Sequence, residues 1–549
     1  MESEKRIITS ALPYSNNLPH LGNIIGCVLS SDVFARYCKK KGYNTIHICG
    51  TDEYGTAIEV SAMEQKMHPR DLCNRNSKLH KEIYDWFDIK FDEFGRTSCK
   101  EHIEMVQKIF YEVYNNGHFE KKESQQFFCE NCNFFLADRF VNGICSKCEK
   151  ESTGDQCDYC GTVHKVTDIL EPKCTICSSE PSIKNTVHLY LKLEGFKDQL
   201  KNILENKKMK WSKNAIEITK DWLGLELHSR AMTRDLKYKW GVPVPIEGFE
   251  DKVFYVWFDA PIGYFTFIKK LVKDEFDIWM KDSTLYQFMG KDNVAFHSII
   301  FPSVLLATGK DYKIVDVISC TEHLQFKNMK FSKSKKIGVF GSDLIDNTLG
   351  NASMWRYYLL KIRPEGKDTN FAIDDFKAVY SADLQKTLAN LVNRVLKFLN
   401  KQLLNDDQNK GYLEYENVNE KDVEFIDKVN SLYQQHLDEL EEIKIKCSLT
   451  TVITICHAAN QKLQQSIQDN NKERRIEVFK LMYSVIVLLG NILEPFIPAT
   501  AADIKKMTGH NTFAYPEKME IIKKITINEI IPLFPPLSEE LSKTLEKYN

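Results

Sequence analysis

No run of apolar residues in the 549-residue chain is long enough to cross a bilayer. The most apolar late stretch, "LMYSVIVLLGNIL" (Leu481 to Leu493), is too short and carries Ser, Gly and Asn, so it predicts a buried helix. The amino terminus, "MESEKRIITS", lacks both the apolar core of a signal peptide and the Arg/Ser-rich, acid-poor character of a transit peptide. A cytoplasmic protein with no membrane partner is the expectation. Charge of one sign is also scarce: 74 Lys+Arg against 76 Asp+Glu leave a formal net charge of −2. That excludes a global basic field, so any nucleic acid must be met by local patches. There is no G-x-x-x-x-G-K-[ST], which argues against a P-loop kinase or ATPase. Tryptophan is absent after Trp355, and no internal repeat occurs apart from paired cysteines.

What is present points to several domains. The length exceeds what one core serves, and 43% hydrophobic with 27% charged residues is ordinary globular composition. "KRIITSA" (Lys5 to Ala11) and "NTIHICG" (Asn44 to Gly50) read as strands. Between them, "GNIIGCVLSSDVFARYCKKKG" places Ile24, Ile25, Val28, Leu29, Val33, Phe34 and Tyr37 on one helical face, with Gly42 at the stop. Strand, helix, strand over this distance is a βαβ unit in a parallel sheet. Ligands bind beyond the carboxyl ends of such strands, where "ALPYSNNLPHLGN" (Ala11 to Asn23) and "GTDEYG" (Gly50 to Gly55) lie. Strand-like runs resume at "KVFYVWFDA" (Lys252 to Ala260), "LYQFMG" (Leu285 to Gly290) and "KIVDVISC" (Lys313 to Cys320). Beyond about Asp374 the pattern is almost wholly helical, broken by a polar loop from Asn405 to Asp422.

From about Phe127 to Ser178 apolar periodicity gives way to four C-x-x-C pairs: Cys129/Cys132, Cys145/Cys148, Cys157/Cys160 and Cys174/Cys177. Two such turns complete a tetrahedral thiolate site, so the pairs predict two closed, structural Zn²⁺ sites in a module inserted into a split sheet domain. A closed site leaves no position for a reacting water; the metal replaces a core that so short an insert cannot build. Spacing leaves the connectivity open. Sequential sharing (first with second, third with fourth) and nested sharing (first with fourth, second with third) both fit.

A second unusual element is "MKFSKSKKIG", Met329 to Gly338, a cationic loop with small hydroxyl residues. Alone it could be a solvated face. Together with His20, Gly22 and a helix N-terminus it becomes a candidate phosphate site. Backbone N–H groups and a positive helix end suit an anion, Gly22 permits close approach, and lysines can follow charge developing on pyrophosphate.

The order of "ALPYSNNLPHLGN", "GTDEYGTA", "FYVWFDAPIGY", "GKDNVAFHS" and "KFSKSKKIGVF" resembles the methionyl-tRNA synthetases, class I aminoacyl-tRNA synthetases, most closely of the eukaryotic cytosolic type. "PHLGN" is similar to their HIGH signature and "KFSKS" to their KMSKS signature. The resemblance implies an α/β, Rossmann-like parallel-sheet catalytic domain in two halves (1–115 and 226–325). A connective insert with two zinc knuckles (116–225), a KMSKS-loop and stem-contact region (326–380) and an α-helical bundle that binds the anticodon (381–549) complete it. It implies activation of L-methionine with ATP, accompanied by Mg²⁺, to methionyl-adenylate, then transfer of the methionyl group to tRNA(Met). The first step is an in-line displacement that demands positioning and charge stabilisation.

By the same resemblance, His20, Asn23, Lys330 and Lys333 are catalytic, Lys333 contributing most to the transition state. Gly22, Lys291, Asp292 and Ser332 join them around ATP, with Asp292 on the ribose. Ala11, Leu12, Tyr14, Asp52, Val256, Trp257, Ala260, Pro261, Tyr264 and His297 line the methionine pocket. Asp52 suits the ammonium, oriented by Arg234, and Tyr14 and His297 are placed to sense the sulfur. Asn390 and Arg394, at i and i+4 in "ANLVNRVLKFLN", match the anticodon-reading pair. Single-zinc relatives favour nested metal sharing, and the insert is too small to be a large editing domain.

Three features depart from the family pattern. Asn23 replaces His in the first signature and Phe331 replaces Met in the second. After "HAANQKLQQSIQDN" the usual Pro-Trp pair, whose indole stacks on an anticodon base, is missing; such stacking is worth roughly 1–3 kcal/mol. Without an appended oligonucleotide-binding domain or dimerising tail, a monomer is expected. The alternative from another class is a catalytically silent, zinc-stabilised tRNA-binding relative, against which the two intact signatures argue.

Overall fold

The computed structural model describes residues 3–136, 140–153, 168–329, 331, 337–405, 411–415, 418–468 and 471–548. Its centre is a five-stranded sheet of β1 (Lys5–Ser10), β2 (Asn44–Thr51), β3 (Glu93–Arg96), β6 (Ser283–Gly290) and β7 (Val317–Thr321), in the order β7-β6-β1-β2-β3. Every neighbouring pair is parallel, with Ile7 opposite both Leu285 and Ile46. Ile7, Ile8, Ile48, Leu285 and Phe288 are buried, because helices cover both faces of the sheet. The βαβ reading holds. The helical run after His20 spans Leu21–Asn23, a π segment Ile24–Val28 and Leu29–Lys41. Thr321 at the end of β7 donates its hydroxyl to Gly26 O at 3.1 Å, seating that π segment against the carboxyl ends of the strands.

Between β3 and β6 two long antiparallel strands leave the sheet domain. β4 (Phe119–Cys129) and β5 (Ser182–Leu191) pair from Phe119↔Leu191 to Phe128↔Ser182, and Arg230–Ala231 adds an edge to β5. Cys129 ends β4, so the ladder carries the cysteine module at its tip. A small cluster holds the tip together: Phe127, Phe134, Leu136, Phe140, Val141 and Ile169. Val60 and Met63, from the helix Thr56–Glu64, pack against it.

Two expected strands are shorter than their apolar runs. In "KVFYVWFDA" the strand is only Val253–Phe254, paired with Thr233–Arg234; Val256–Asp259 is helical and runs on through Ala260–Ile262 into Gly263–Val272. A short apolar run fits a buried helical turn as well as a strand, and Pro261 at the start of the next turn favours the helix. In "KIVDVISC" the strand begins only at Val317. Lys313 donates to Ser283 O at 2.6 Å and the Asp316 carboxylate accepts from Leu285 N at 2.9 Å, so this segment is fastened by side chains before the ladder starts.

Beyond Asp374 helices dominate, among them Asn390–Leu404, Val423–Glu441, Ile445–Gln468, Lys472–Ile492 and Pro498–Thr508. "LMYSVIVLLGNIL" is buried throughout. The largely helical pattern is interrupted after Gly509, where an extended segment pairs Lys524–Ile525 with Leu413–Glu414 from the polar loop before the helix Glu539–Glu546. One hydrophobic cluster runs from the sheet into this bundle. Arg356 clamps the two parts: it donates to Asp32 Oδ2 at 2.8 Å, to Phe87 O at 2.9 Å and to Phe496 O at 2.7 Å. Among the described residues, no helix is long and apolar enough to cross a membrane.

Candidate active site

Beyond the carboxyl ends of β1 and β2, Ala11 N donates to Phe288 O at 2.8 Å, and across the Tyr14↔Asp52 bridge Ser15 N donates to Asp52 O at 2.9 Å and Asp52 N to Pro13 O at 3.0 Å. These contacts turn "ALPYSNNLPHLGN" into a wall rather than a free loop. At its end His20 caps the helical run: Nδ1 accepts from Gly22 N at 3.1 Å and Asn23 N at 3.3 Å, while Asn23 Oδ1 accepts from His20 N at 3.2 Å. An accepting Nδ1 assigns the proton of the neutral ring to Nε2, leaving one N–H donor aimed away from the helix. A Cβ on Gly22 would stand 3.0 Å from the His20 ring, so glycine is what allows the cap to close.

Phe331 of the second signature stacks on the His20 ring at 4.6 Å and 4°, and Phe340 meets it edge-on at 6.3 Å. The two signatures are therefore in contact through the phenylalanine that replaces the usual methionine. Lys330, Ser332 and Lys333 lie outside the described residues. Burial, and then the neighbouring His323, lower the His20 pKa to about 4. The ring is neutral at physiological pH. In the unfolded chain it titrates near 6.5, so protonation favours unfolding as pH falls from there toward 4. We expect no His20-dependent inflection near pH 6.5 in the rate of the nucleotide reaction. An inflection there that disappears in His20→Asn would contradict this.

At the end of β6, Lys291 donates to Glu322 Oε2 at 2.7 Å and Asp368 Oδ1 at 2.8 Å. Asp292 Oδ2 and His323 Nε2 lie 2.9 Å apart. Sequence reasoning named Lys291 and Asp292 but missed Glu322 and His323; the signal was their position directly after β7, the neighbouring strand.

Most residues that the resemblance places around methionine lie on the loop after β1 and on the turn after Tyr255. Tyr14 donates its hydroxyl to Tyr54 O at 2.7 Å. Gly55, at φ +100°, passes so close that a Cβ would stand 2.7 Å from that hydroxyl. Leu12 packs beside Gly263, 3.0 Å from where a Cβ there would stand. The turn after Tyr255 presents Val256, Trp257 and Ala260 half-buried, while Phe258, Asp259 and Pro261 face inward. Trp257 meets Phe296 edge-on at 4.7 Å.

Tyr264 and His297 are buried and 2.8 Å apart. His297 Nδ1 donates to Asn293 O at 2.8 Å, so Nε2 is the acceptor of the Tyr264 O–H. The Tyr264 hydroxyl proton and the His297 Nε2 lone pair are therefore spent on each other.

Asp52 is 8% exposed, and its Oδ1 has no hydrogen-bond partner among the described residues. Burial, and then Asp259, push its carboxyl well above the usual range. A buried carboxylate oxygen without a partner is costly, and a cation brought to it removes that cost. Arg234 stacks on the Tyr255 ring at 3.7 Å and donates to Thr233 O at 3.1 Å; it does not satisfy Asp52 Oδ1.

At the tip of the β4–β5 ladder, the sulfurs of Cys129, Cys132, Cys174 and Cys177 all lie within 4.8 Å of one another. Cys129 Sγ is 3.4 Å from Cys177 Sγ, and Cys132 Sγ is 4.0 Å from Cys174 Sγ. Tetrahedral Zn–S bonds of about 2.3 Å give S···S edges of about 3.8 Å, so this set fits zinc. Ser179, 2.9 Å from Cys177 Sγ, lowers that thiol to about 6 by hydrogen bonding, which favours the thiolate a metal needs. The first pair thus meets the fourth, as in nested sharing. Cys145 and Cys148 stand apart from this cluster, and Cys157 and Cys160 lie outside the described residues. In the helical region, Asn390 is exposed and Arg394 half-buried on the helix Asn390–Leu404.

The family profile "tRNA synthetases class I (M)" matches residues 6–396. A probable cytoplasmic methionine–tRNA ligase of Encephalitozoon cuniculi is 48% identical over 548 residues, covering 99% of this chain and 98% of that protein. The cytoplasmic methionine–tRNA ligase of Arabidopsis thaliana is 43% identical, covering 91% of this chain and 64% of that protein. In fold, the chain is similar to the crystal structure of Mycobacterium tuberculosis methionyl-tRNA synthetase bound by methionyl-adenylate. The TM-score is 0.79 at 18% identity, covering 97% of this chain and all of that one. With a parallel sheet, two signatures in contact and a four-cysteine cluster in the insert, the chain belongs to the class I tRNA synthetases of the methionine–tRNA ligase family.

Proposed function

We propose that the chain activates L-methionine with ATP to methionyl-adenylate and pyrophosphate in the cytoplasm, and then transfers the methionyl group to tRNA(Met). The observation that carries this reading is the buried Asp52 oxygen without a partner among the described residues, which feels Asp259 of the turn that bears half-buried Val256, Trp257 and Ala260. Asp52 receives the substrate ammonium, and the wall with Leu12, Tyr14, Tyr264 and His297 encloses a flexible, polarizable side chain. Held there, the methionine carboxylate is presented to the α-phosphate.

The Nε2–H of His20 faces the phosphates at the positive end of the helical run, whose first N–H groups are held by the cap, and Asp292, held by His323, takes the ribose. Lys330 and Lys333 act from the second signature, Lys333 on charge developing at pyrophosphate. Mg²⁺ enters with ATP. Zinc is held by Cys129, Cys132, Cys174 and Cys177, and a second ion by Cys145, Cys148, Cys157 and Cys160; both are structural. Asn390 and Arg394 read the anticodon. Charging of a tRNA(Met) transcript tests the whole sequence of steps. Methionine is expected to become acid-precipitable with tRNA(Met) and not with other tRNAs, and failure to charge it would overturn the reading.

A further inference from the structure

Behind the methionine pocket lies a buried acid and imidazole that no step above uses. Asp259 ends the turn Val256–Asp259, His102 sits on the helix Lys100–Asn115, and both side chains are 0% exposed. His102 Nε2 faces Asp259 Oδ2 at 3.5 Å. Neither atom, nor Asp259 Oδ1, has a hydrogen-bond partner among the described residues.

The other side of the imidazole fixes its tautomer. Thr266 gives its hydroxyl proton to Ile262 O at 3.4 Å, so its oxygen accepts from His102 Nδ1–H at 3.1 Å. A neutral His102 therefore presents a lone pair to Asp259. A carboxylate there would place two acceptors face to face. One proton between them turns that contact into a hydrogen bond after a small rotation of the carboxyl.

In surroundings this dry, the neutral acid and neutral imidazole cost less than a separated ion pair. Asp52 adds a second reason for a proton to stay in this region, because two nearby buried carboxyls resist ionising together, and the Nε2 lone pair of His102 gives Asp259 the acceptor for it. Burial also pushes His102 down to about 3 and, against a backbone hydrogen bond, pushes Asp259 well up, the same distribution of the proton.

We infer that Asp259 is a neutral carboxylic acid in the working enzyme, its proton directed at Nε2 of His102. It acts as a positioning residue. It leaves Asp52 as the single anion for the substrate ammonium, and it ties the turn bearing Val256, Trp257 and Ala260 to the helix Lys100–Asn115. This rests on the assignment of Asp52 to the ammonium.

Asp259→Asn, Asp259→Leu and Asp52→Asn separate the two ideas in methionine-dependent ATP–pyrophosphate exchange with the full, zinc-loaded chain. Asparagine keeps a donor toward Nε2, so KM for methionine should stay within about threefold of wild type. Leucine leaves Nε2 buried without a partner and should raise that KM by roughly tenfold or more, with KM for ATP little changed. Infrared difference spectra should show a carboxylic-acid carbonyl band in the wild type that is missing in Asp259→Asn. A methionine KM raised as far by Asp259→Asn as by Asp52→Asn would overturn the inference, since Asp259 would then be a second anionic ligand. So would an infrared spectrum without that band. If Asp52→Asn leaves the KM unchanged, the ammonium assignment falls, whereas the infrared band still reads the protonation of Asp259 by itself.

Discussion

Replacing Cys129 or Cys174 with serine is expected to cost the chain one zinc ion and the order of its insert. Among the described residues, the other support at the tip is the cluster of Phe127, Phe134, Leu136, Phe140, Val141 and Ile169, with a short sheet that pairs Val141–Ile144 with Glu151–Thr153 and Leu170–Cys174. Structural zinc contributes about 10–16 kcal/mol of apparent binding free energy in small domains, more than so few side chains supply. The damage should not stay local. Val60 and Met63 pack on this cluster, and their helix, Thr56–Glu64, begins directly after Asp52 and Gly55. We therefore expect an early thermal transition together with a raised methionine KM, while the β4–β5 ladder nearer the sheet persists. Metal analysis checks the connectivity. Both serine variants should lose the same ion, and the double variant should lose no more. Cys129 and Cys174 variants that each lost a different ion would contradict the nested arrangement.

Asp52→Asn is expected to raise KM for methionine by roughly 10²–10³, because losing one partner of a buried charge pair costs about 3–5 kcal/mol. The amide keeps the size of the side chain but removes the charge that an ammonium requires. KM for ATP should change little, since the proposed function assigns the phosphate groups to His20 and the second signature. Exchange kinetics with each substrate varied in turn make the comparison. A loss shared equally between the two substrates would show that Asp52 supports the loop rather than the ammonium.

Much of this site was legible in the sequence because its parts lie at strand ends that the βαβ pattern exposes. His20, Gly22 and Asn23 follow β1, Asp52 follows β2, and Lys291 and Asp292 follow β6. What escaped was decided by tertiary contacts. "KVFYVWFDA" has the composition of a strand, yet it turns helical after Tyr255, and that turn is why Val256, Trp257 and Ala260 share one half-open face. His323 looked like an ordinary residue until β7 brought it to 2.9 Å from Asp292. The pairing of Cys129/Cys132 with Cys174/Cys177 follows from the antiparallel ladder, whose register returns the chain to its start; spacing alone could not reveal it. His102 carries no local signal at all, since only packing of its helix against Asp259 and Thr266 gives it a role.

The central claim is that the pocket behind "ALPYSNNLPHLGN" activates methionine. ATP–pyrophosphate exchange, measured with the zinc-loaded chain and each of the twenty amino acids in turn, tests it most directly. Exchange should be rapid with methionine and at least about 10²-fold slower with the others, in keeping with a shaped apolar pocket closed by a single carboxylate. No exchange with methionine, or faster exchange with another amino acid, would contradict the account.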